Sequence, residues 1–320
     1  MDYKKAAVRT GQALLLFVIG YYLVYRNLIL YWHKLTEYQW TLRWLPFSLS
    51  LLGISLTFAA NTQIWRMIVR SLSGVSLPPY RSVYIWFMSN LGRYLPGKVW
   101  QIAGMAMLAR GAGVPSVEAA ASSVLGIVIC MLAGACLGLA LFPAALAGSY
   151  APLISRAWLG LPVMLAFLHP ALLNRLIRRV SKWSGKPAVM GNLRLRDLLL
   201  WFTLNLLVWI VYGVCFYYFV HSVIPEARLS PGDAVGIYAV GYIIGFLMIF
   251  APGGLGVRES VFILLLSPSL GDLGAVVVAL ISRIWLTLAE LVPVALLLWI
   301  SGLPGKLMKT VPGQLENENG

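Results

Sequence analysis

Long runs of apolar residues follow one another along the whole chain, with short polar segments between them. Six runs are long enough to cross a bilayer, which takes about 20 mostly apolar residues in a helix: residues 10–32, 44–66, 116–147, 150–169, 198–221 and 272–301. The runs do not alternate apolar and polar positions, so helices are favoured over strands. Because only helices and closed barrels satisfy their backbone hydrogen bonds in lipid, the pattern predicts an all-α, polytopic membrane protein.

Two further apolar segments, 81–112 and 232–268, are interrupted. The first is split by the sequence LPG and the second by APGG. Each leg of the first segment has about 13–15 residues, or roughly 20–22 Å of helix, which is short for a full crossing. Each segment is therefore predicted to be a re-entrant hairpin or a tilted, broken helical pair. Either form returns the chain to the side from which it started.

The two interruptions match each other in sequence. Pro96–Gly97 and Pro252–Gly253 lie 156 residues apart, and the same offset pairs Ser116 with Asp272. Both of these polar residues directly precede a long apolar run, so each is a predicted N-cap. The match suggests that the chain contains two copies of one arrangement, although two unrelated kinked hairpins are an alternative.

The predicted pseudo-repeats cover residues 44–147 and 198–301. Each consists of a span, a broken pair and a long span, and the extra span 150–169 reverses the second copy relative to the first. This is an inverted-topology repeat, which is typical of transporters with a binding site near the bilayer midplane.

Composition agrees with the membrane class. Of 320 residues, 60% are hydrophobic and 11% charged, and the mean hydropathy is +0.81. The net charge of +14 would suit nucleic-acid binding in a soluble protein, but basic loops beside anionic lipid explain it here, so no nucleic-acid partner is expected. The three cysteines lie in apolar runs and the three histidines are scattered, so we expect no metal and no cofactor.

Lysine and arginine residues set the predicted orientation. The loop 170–197 holds seven of them: Arg175, Arg178, Arg179, Lys182, Lys186, Arg194 and Arg196. The positive-inside rule places this loop in the cytoplasm. Both termini then fall on the cytoplasmic side of a cell (inner, plasma) membrane. Residues 1–303 form one predicted membrane domain, and 304–320 a cytoplasmic tail.

Ionisable side chains surround the interruptions. Four of them are basic: Arg93, Lys98, Arg258 and Arg283. A charge at membrane depth costs at least about 2.5–3.5 kcal/mol on insertion scales, so it is expected to have a partner or a function. The carboxylates predicted to lie near them are Glu259 and Glu290, which leaves a surplus of two positive charges. A phosphate or another anionic head group would complement that surplus.

Interrupted helices also expose backbone N–H groups with a positive dipole end, and glycine lets an anion approach them. The predicted substrate-binding residues are therefore Arg93, Lys98, Arg258, Glu259, Arg283, Gly97, Gly253 and Gly254. The predicted gating or secondary residues are Asn90, Gln101 and Glu290, with the two amides serving as interhelical contacts or as cavity lining.

Internal ion pairing is the alternative role for these charges. Glu259 with Arg283, or Glu290 with Arg93, could pair across helices. Arg258 and Glu259 are helix neighbours and are not expected to face each other.

Two stretches carry a resemblance to a known family. They are NLGRYLPGKVWQIAGMAMLARGAGVPSVEAAASS and FAPGGLGVRESVFILLL, followed by AVVVALISRIWLTLAELV. They resemble the flippase-like membrane domain of lysylphosphatidylglycerol synthases and their stand-alone relatives, over most of residues 10–303. The resemblance implies an all-helical fold with re-entrant elements and a role in moving anionic or modified lipids between leaflets.

By motif, the matching residues include Arg93, Pro96, Gly97 and Lys98 in the first stretch, Pro252, Gly253, Gly254, Gly256, Arg258 and Glu259 in the second, and Arg283 in the following helix. Relatives often carry an acidic–basic pair in the helix after the first motif, whereas this chain has the uncharged SSVLGIVICML. The sequence lacks the soluble aminoacyl-transferase domain of the full synthases, so it is not expected to make lysyl lipid by itself.

Together these features predict a flippase-type lipid transporter and not an enzyme. The expected substrate is a polyprenyl-monophosphate-linked sugar, because stand-alone relatives resemble partners of glycosyl-transfer systems, or a (modified) glycerophospholipid. One alternative is a membrane-embedded transferase that uses a polyprenyl-phosphate donor with Glu259 as base. Another is a structural partner subunit of a glycosyl-transfer system. Expected partners are the anionic lipid, the surrounding membrane lipids and a glycosyltransferase or lipid-modifying enzyme.

Overall fold

The computed structural model describes residues 41–94, 99–143, 168–184, 193–248 and 252–301, with short stretches between 146 and 166. The five longer ranges form eight α-helices: α1 (Trp44–Ser73), α2 (Pro79–Asn90), α3 (Val99–Gly111), α4 (Ser116–Ala140), α5 (Pro170–Ser184), α6 (Leu195–Val223), α7 (Pro231–Leu247) and α8 (Val257–Ser301). Two 3-10 turns, Leu91–Tyr94 and Pro252–Gly254, follow α2 and precede α8. The described residues contain no strand, which confirms the predicted all-α class.

Within the described ranges, four helices are long and apolar enough to cross a membrane: α1, α4, α6 and the Val257–Leu296 part of α8. They coincide with the predicted spans 44–66, 116–147, 198–221 and 272–301. The predicted span 10–32 and the tail 304–320 lie outside the described residues, and 150–169 is described only in part. The chain is therefore an all-helical membrane protein with four candidate spans in its described part, and the six-span topology stays a prediction.

Both predicted N-caps lie one residue too far along the chain. Pro115, with ψ 148°, is the residue that caps α4, and Ser116 is already the first helical residue. The prediction at Ser116 is therefore wrong by one position, because the Pro115 carbonyl accepts the first helical hydrogen bond, from Ala119 N at 2.8 Å. In α8 only Gly271 has non-helical backbone angles, φ 68° and ψ 166°, so Gly271 takes the cap position and Asp272 is the first residue of the new helical segment. The prediction at Asp272 is therefore also wrong by one position.

The predicted loop 170–197 contains a helix that the sequence analysis missed. In α5 the exposed cations Arg175, Arg178 and Arg179 lie on one side, and their spacing matches one face of a helix. Asn174 fixes α5 against the start of α6, because its Nδ2 donates to Leu193 O at 3.2 Å and its Oδ1 accepts from Leu193 N at 3.1 Å. Charge content alone does not distinguish such an amphipathic helix from a basic loop.

The core lies where α1, α6, α7 and α8 meet. Aromatic side chains fill it, and those of Phe216, Tyr238 and Trp285 are fully buried. The Phe216 and Tyr238 ring centroids are 5.4 Å apart, and those of Phe216 and Trp285 are 6.3 Å apart. Glycine makes this packing possible, since a Cβ on Gly241 of α7 would overlap the ring of Phe262 in α8.

The order of elements is the same in both halves of the chain. A long helix, a short helix, a 3-10 turn, a short helix and a long helix occur as α1 to α4. They recur as α6, α7, the second turn and the two parts of α8 on either side of Gly271. The corresponding helices α1 and α6 pack along each other, and the two 3-10 turns contact each other. The turn that leads into the first interruption therefore lies beside the second interruption.

Candidate functional site

The second interruption is a tight glycine turn. Gly253, Gly254 and Gly256 have φ values of 58°, 72° and 79°, in the left-handed region that favours glycine. A Cβ on Gly254 would also lie 3.0 Å from the carbonyl oxygen of Gly245, near the end of α7. Positive φ and close packing together explain the glycine-rich sequence and confirm the predicted helix interruption.

The carboxylate of Glu259 caps the N-terminal end of α8. This helix begins at Val257, and the Glu259 Oε2 accepts a hydrogen bond from the Gly256 N–H at 2.7 Å. A carboxylate that bonds back to the capping residue in this way satisfies one of the free N–H groups of a helix start. The predicted anion-binding helix end at Gly253 is therefore displaced to Gly256 and Val257, and Glu259 already occupies part of it.

Two arginines share the other carboxylate oxygen. Glu259 Oε1 lies 3.3 Å from Arg258 Nη2 and 3.6 Å from Arg283 Nη1. Arg283 Nη1 also donates to Gly253 O at 3.0 Å. The predicted pair of Glu259 with Arg283 is confirmed, and the side chain of Arg283 connects the last span to the turn.

The expectation that Arg258 and Glu259 do not meet is wrong. The expectation assumed side chains that project from the middle of a helix. Here the two residues lie in the first turn of α8, and the Glu259 carboxylate bends back toward Gly256. The long arginine side chain therefore reaches it beside the helix end.

Burial makes this cluster electrostatically strong. The side chains of Arg258 and Glu259 are 5% and 7% exposed, whereas that of Arg283 is 23% exposed. Two guanidinium groups against one carboxylate give these three residues a formal charge of +1. The Arg258 Nε atom is buried without a hydrogen-bond partner. Because charges interact more strongly away from water, this arrangement favours an additional anion.

The 3-10 turn that precedes the first interruption lies against the second interruption. The Leu91–Tyr94 turn contacts the Pro252–Gly254 turn, and a Cβ on Gly92 would lie 2.9 Å from the main chain of Trp100 at the start of α3. The main chain of Arg93 belongs to this turn. Its side chain, Gly97 and Lys98 lie outside the described part, so their predicted roles stay predictions.

The predicted secondary residues Asn90 and Gln101 meet. Gln101 Nε2 donates to Asn90 Oδ1 at 2.8 Å, and both residues line a cavity of about 70 Å³ inside the bundle. Glu290 is 2% exposed and lies seven residues after Arg283, roughly 10 Å along the helix axis. Both amides therefore line the cavity, which is one of the two positions predicted for them.

One buried carboxylate was missed in the sequence. Glu118 lies in the first turn of α4 and is 1% exposed, and neither of its carboxylate oxygens has a hydrogen-bond partner. Only its apolar sequence neighbours gave a signal of burial.

The described ranges contain no group of three or more His, Cys, Asp or Glu residues that could bind a metal ion. The fold and the site define a class: a polytopic helical membrane protein in which two helix interruptions meet beside buried charges.

A family model for the lysylphosphatidylglycerol synthase transmembrane region matches residues 10–294. The chain belongs to this family, which confirms the resemblance seen in the two motifs. A comparison with curated proteins gives no match. Family membership connects the protein to membrane lipids.

Proposed function

We propose that the protein is a flippase that moves an anionic, phosphate-bearing lipid between the two leaflets. The observation that carries the proposal is the meeting of both helix interruptions beside a buried cluster with surplus positive charge. Guanidinium groups bind phosphate through paired, charge-assisted hydrogen bonds. A phosphate is therefore a suitable anion for Arg258 and Arg283, with Arg93 and Lys98 as further ligands.

Alternating access is the proposed mode of transport. The matching element order of the two halves and the contact between their 3-10 turns support an inverted-topology repeat with re-entrant elements. In such repeats one half rocks against the other around a fixed midplane site. The head group would be exposed to each leaflet in turn while the lipid tails stay in the membrane.

Glu259 has a defined part in this mechanism. In the structure it holds both arginines, at 3.3 and 3.6 Å, so it acts as their counter-ion. An arriving phosphate competes with the carboxylate for the same guanidinium groups. Arg283 is the more exposed of the two arginines, so it makes the first contact in the proposed sequence, and Arg258 follows.

The proposed substrate is a polyprenyl-monophosphate-linked sugar, with a glycerophospholipid as the second choice. The proposed location is the cell (inner) membrane with both termini in the cytoplasm, as the distribution of basic residues indicates. A glycosyltransferase or lipid-modifying enzyme is the proposed partner, and consumption of the lipid by that enzyme would give transport a direction.

Leaflet exchange in proteoliposomes tests the proposal. A labelled lipid should move between leaflets without covalent change, and Arg258→Gln, Arg283→Gln and Lys98→Gln should each lower the rate at least about tenfold, which corresponds to one lost charge-assisted contact. The matched control is Arg110→Gln, because Arg110 is exposed in the last turn of α3. Full exchange by all three site variants would contradict the proposed phosphate site.

The same assay distinguishes the alternatives. A transferase would release a chemically altered lipid, and its base would need a free carboxylate within reach of the substrate. Both oxygens of Glu259 are engaged, one by Gly256 N–H and one by Arg258 and Arg283, which disfavours that role. A purely structural subunit would give neither exchange nor an altered lipid.

A further inference from the structure

A polar cavity lies next to the two interruptions. It is enclosed by α1, α2, α3, α4, α6 and α7 and has a volume of about 70 Å³. Since one water molecule needs roughly 10–15 Å³ by this measure, the cavity has room for about five water-sized groups. None of its lining residues is charged, and its polar side chains include Asn61, Trp65, Asn90, Gln101, Asn205 and Tyr242.

Three of these side chains present a buried polar atom without a hydrogen-bond partner. They are Trp65 Nε1, Asn90 Nδ2 and Asn205 Oδ1, and the three residues are 4%, 3% and 1% exposed. Buried polar groups are almost always hydrogen-bonded in folded proteins. Three orphaned atoms around one cavity therefore indicate that the cavity receives a polar ligand.

Hydrogen bonds to neighbouring residues determine which polar atom of each amide is left without a partner. Asn205 Nδ2 donates to Trp201 O at 2.8 Å, so the oxygen of Asn205 is left for the cavity. The Asn90 oxygen accepts from Gln101, so the nitrogen of Asn90 is left. The cavity thus offers two N–H donors, from Trp65 and Asn90, and one acceptor, from Asn205.

This set of atoms matches hydroxyl groups. A phosphate oxygen only accepts hydrogen bonds and an ammonium group only donates them, whereas a hydroxyl does both. The site is uncharged, which also disfavours an ion. The aromatic rings of Trp86 and Tyr242 in the same wall can pack against the C–H groups of a polyol.

Two of the helices that line the cavity also border the elements of the proposed phosphate site. Asn90 is the last residue of α2, directly before the first 3-10 turn. On the other side, the lining residue Phe246 follows Gly245, where a Cβ would lie 3.0 Å from the Cβ of Arg258. The helix α7 thus packs against the main-chain end of Arg258 at Gly245 and lines the cavity with its next residue, Phe246.

We propose that this cavity binds the neutral hydroxyls of the lipid head group, so that the transported lipid carries neighbouring hydroxyl groups beside its phosphate. The inference rests on the proposed lipid transport. Glycerol and sugar head groups share this chemistry, and the cavity has room for a three-carbon polyol or one edge of a sugar ring.

Two pairs of lipids with equal charge test the inference in proteoliposomes. The first pair is phosphatidylglycerol and phosphatidylpropanol, and the second is a polyprenyl phosphoryl hexose and the polyprenyl methyl phosphate. We expect the wild-type protein to exchange the hydroxyl-bearing member at least about tenfold faster in one pair, since a site built to bind a hydroxyl rejects an analogue without it. That pair identifies the head group.

Variants of the cavity provide the matched comparison. Asn90→Leu, Asn205→Leu and the milder Trp65→Phe should each reduce the ratio between the exchange rates of the hydroxyl-bearing and the hydroxyl-free lipid. Thr57→Val is the control, because Thr57 is buried in α1 but does not line the cavity. The Trp65→Phe variant removes only an N–H group from the wall and keeps an aromatic ring.

The outcomes separate this inference from the proposed function. Equal exchange of both members in both pairs would mean that the cavity holds only water, which overturns the inference and leaves lipid transport standing. A preference that all three cavity variants retain would also overturn it. If no lipid is exchanged at all, the proposed function fails, and the inference fails with it.

Discussion

Replacing Glu259 with glutamine probes the buried ion cluster. Glutamine keeps an oxygen that can accept from Gly256 N–H, but it removes the charge that balances Arg258 and Arg283. Losing one partner of a buried ion pair costs about 3–5 kcal/mol. The Arg258 contact, 3.3 Å long with both side chains under a tenth exposed, falls in that range. The Arg283 contact is longer, at 3.6 Å, and the Arg283 side chain is 23% exposed. It contributes less to the free energy of unfolding because water screens it.

We therefore expect Glu259→Gln to lower the free energy of unfolding by about 3–4 kcal/mol. The measurement is denaturant unfolding of the purified protein in detergent micelles, followed by circular dichroism. It is combined with Arg258→Gln in a double-mutant cycle. In the Glu259→Gln background, Arg258→Gln should cost at least about 1.5 kcal/mol less than in wild type, since it then removes an unpaired buried charge.

Arg110→Gln serves as the control, because Arg110 is exposed at the end of α3 and its replacement should change stability by less than about 0.5 kcal/mol. The reasoning is refuted if the two site substitutions are additive to within about 0.5 kcal/mol, which is the behaviour of residues that do not interact. It is also refuted if Glu259→Gln leaves the unfolding free energy unchanged.

Three further substitutions test other parts of the structure by thermal unfolding in detergent. Gly254→Ala should destabilise by more than Gly74→Ala, because both positions have φ 72° but only Gly254 would bring a Cβ within 3.0 Å of a facing carbonyl; equal losses would show that the close packing is unimportant. Glu118→Gln should leave the free energy of unfolding unchanged or raise it by about 1 kcal/mol or more, since it removes a buried carboxylate without hydrogen-bond partners. A clear loss of stability would show that the carboxylate is stabilised where it lies. Gly134→Ala should cost about 1–3 kcal/mol by overpacking, because its Cβ would lie 2.5 Å from an indole ring of α6, whereas Gly160→Ala, with open space around it, should be neutral.

The spans and the interruptions were predictable from the sequence for physical reasons. Hydropathy over about 20 residues reports the thickness of the bilayer, so α1, α4 and α6 were found from apolar runs alone. Proline and glycine restrict where a helix can continue, so the turn at Pro252–Gly254 was found as well. The helix α5 was missed because its residues were treated only as a run of positive charges.

The contacts within the site were less predictable, because they depend on local geometry. The sequence indicated that Arg258, Glu259 and Arg283 belong together, but not that the first two meet. That pairing exists because Glu259 turns back to bond Gly256 N–H at the start of α8. The burial of Glu118 depends on which helices cover the start of α4, and no periodicity in the sequence encodes such packing between distant segments.

The double role of Glu259 connects substrate binding to backbone geometry in the proposed transport cycle. One carboxylate oxygen holds the capping N–H of Gly256 while the other holds Arg258 and Arg283. A phosphate that takes over the arginines releases one side of this carboxylate, so the cap at the start of α8 loses its anchor. Because Gly256 ends the glycine turn that contacts the first interruption through Pro252–Gly254, a change at the cap reaches both halves of the chain. Binding at the site can then shift the balance between two arrangements of the halves, as alternating access requires.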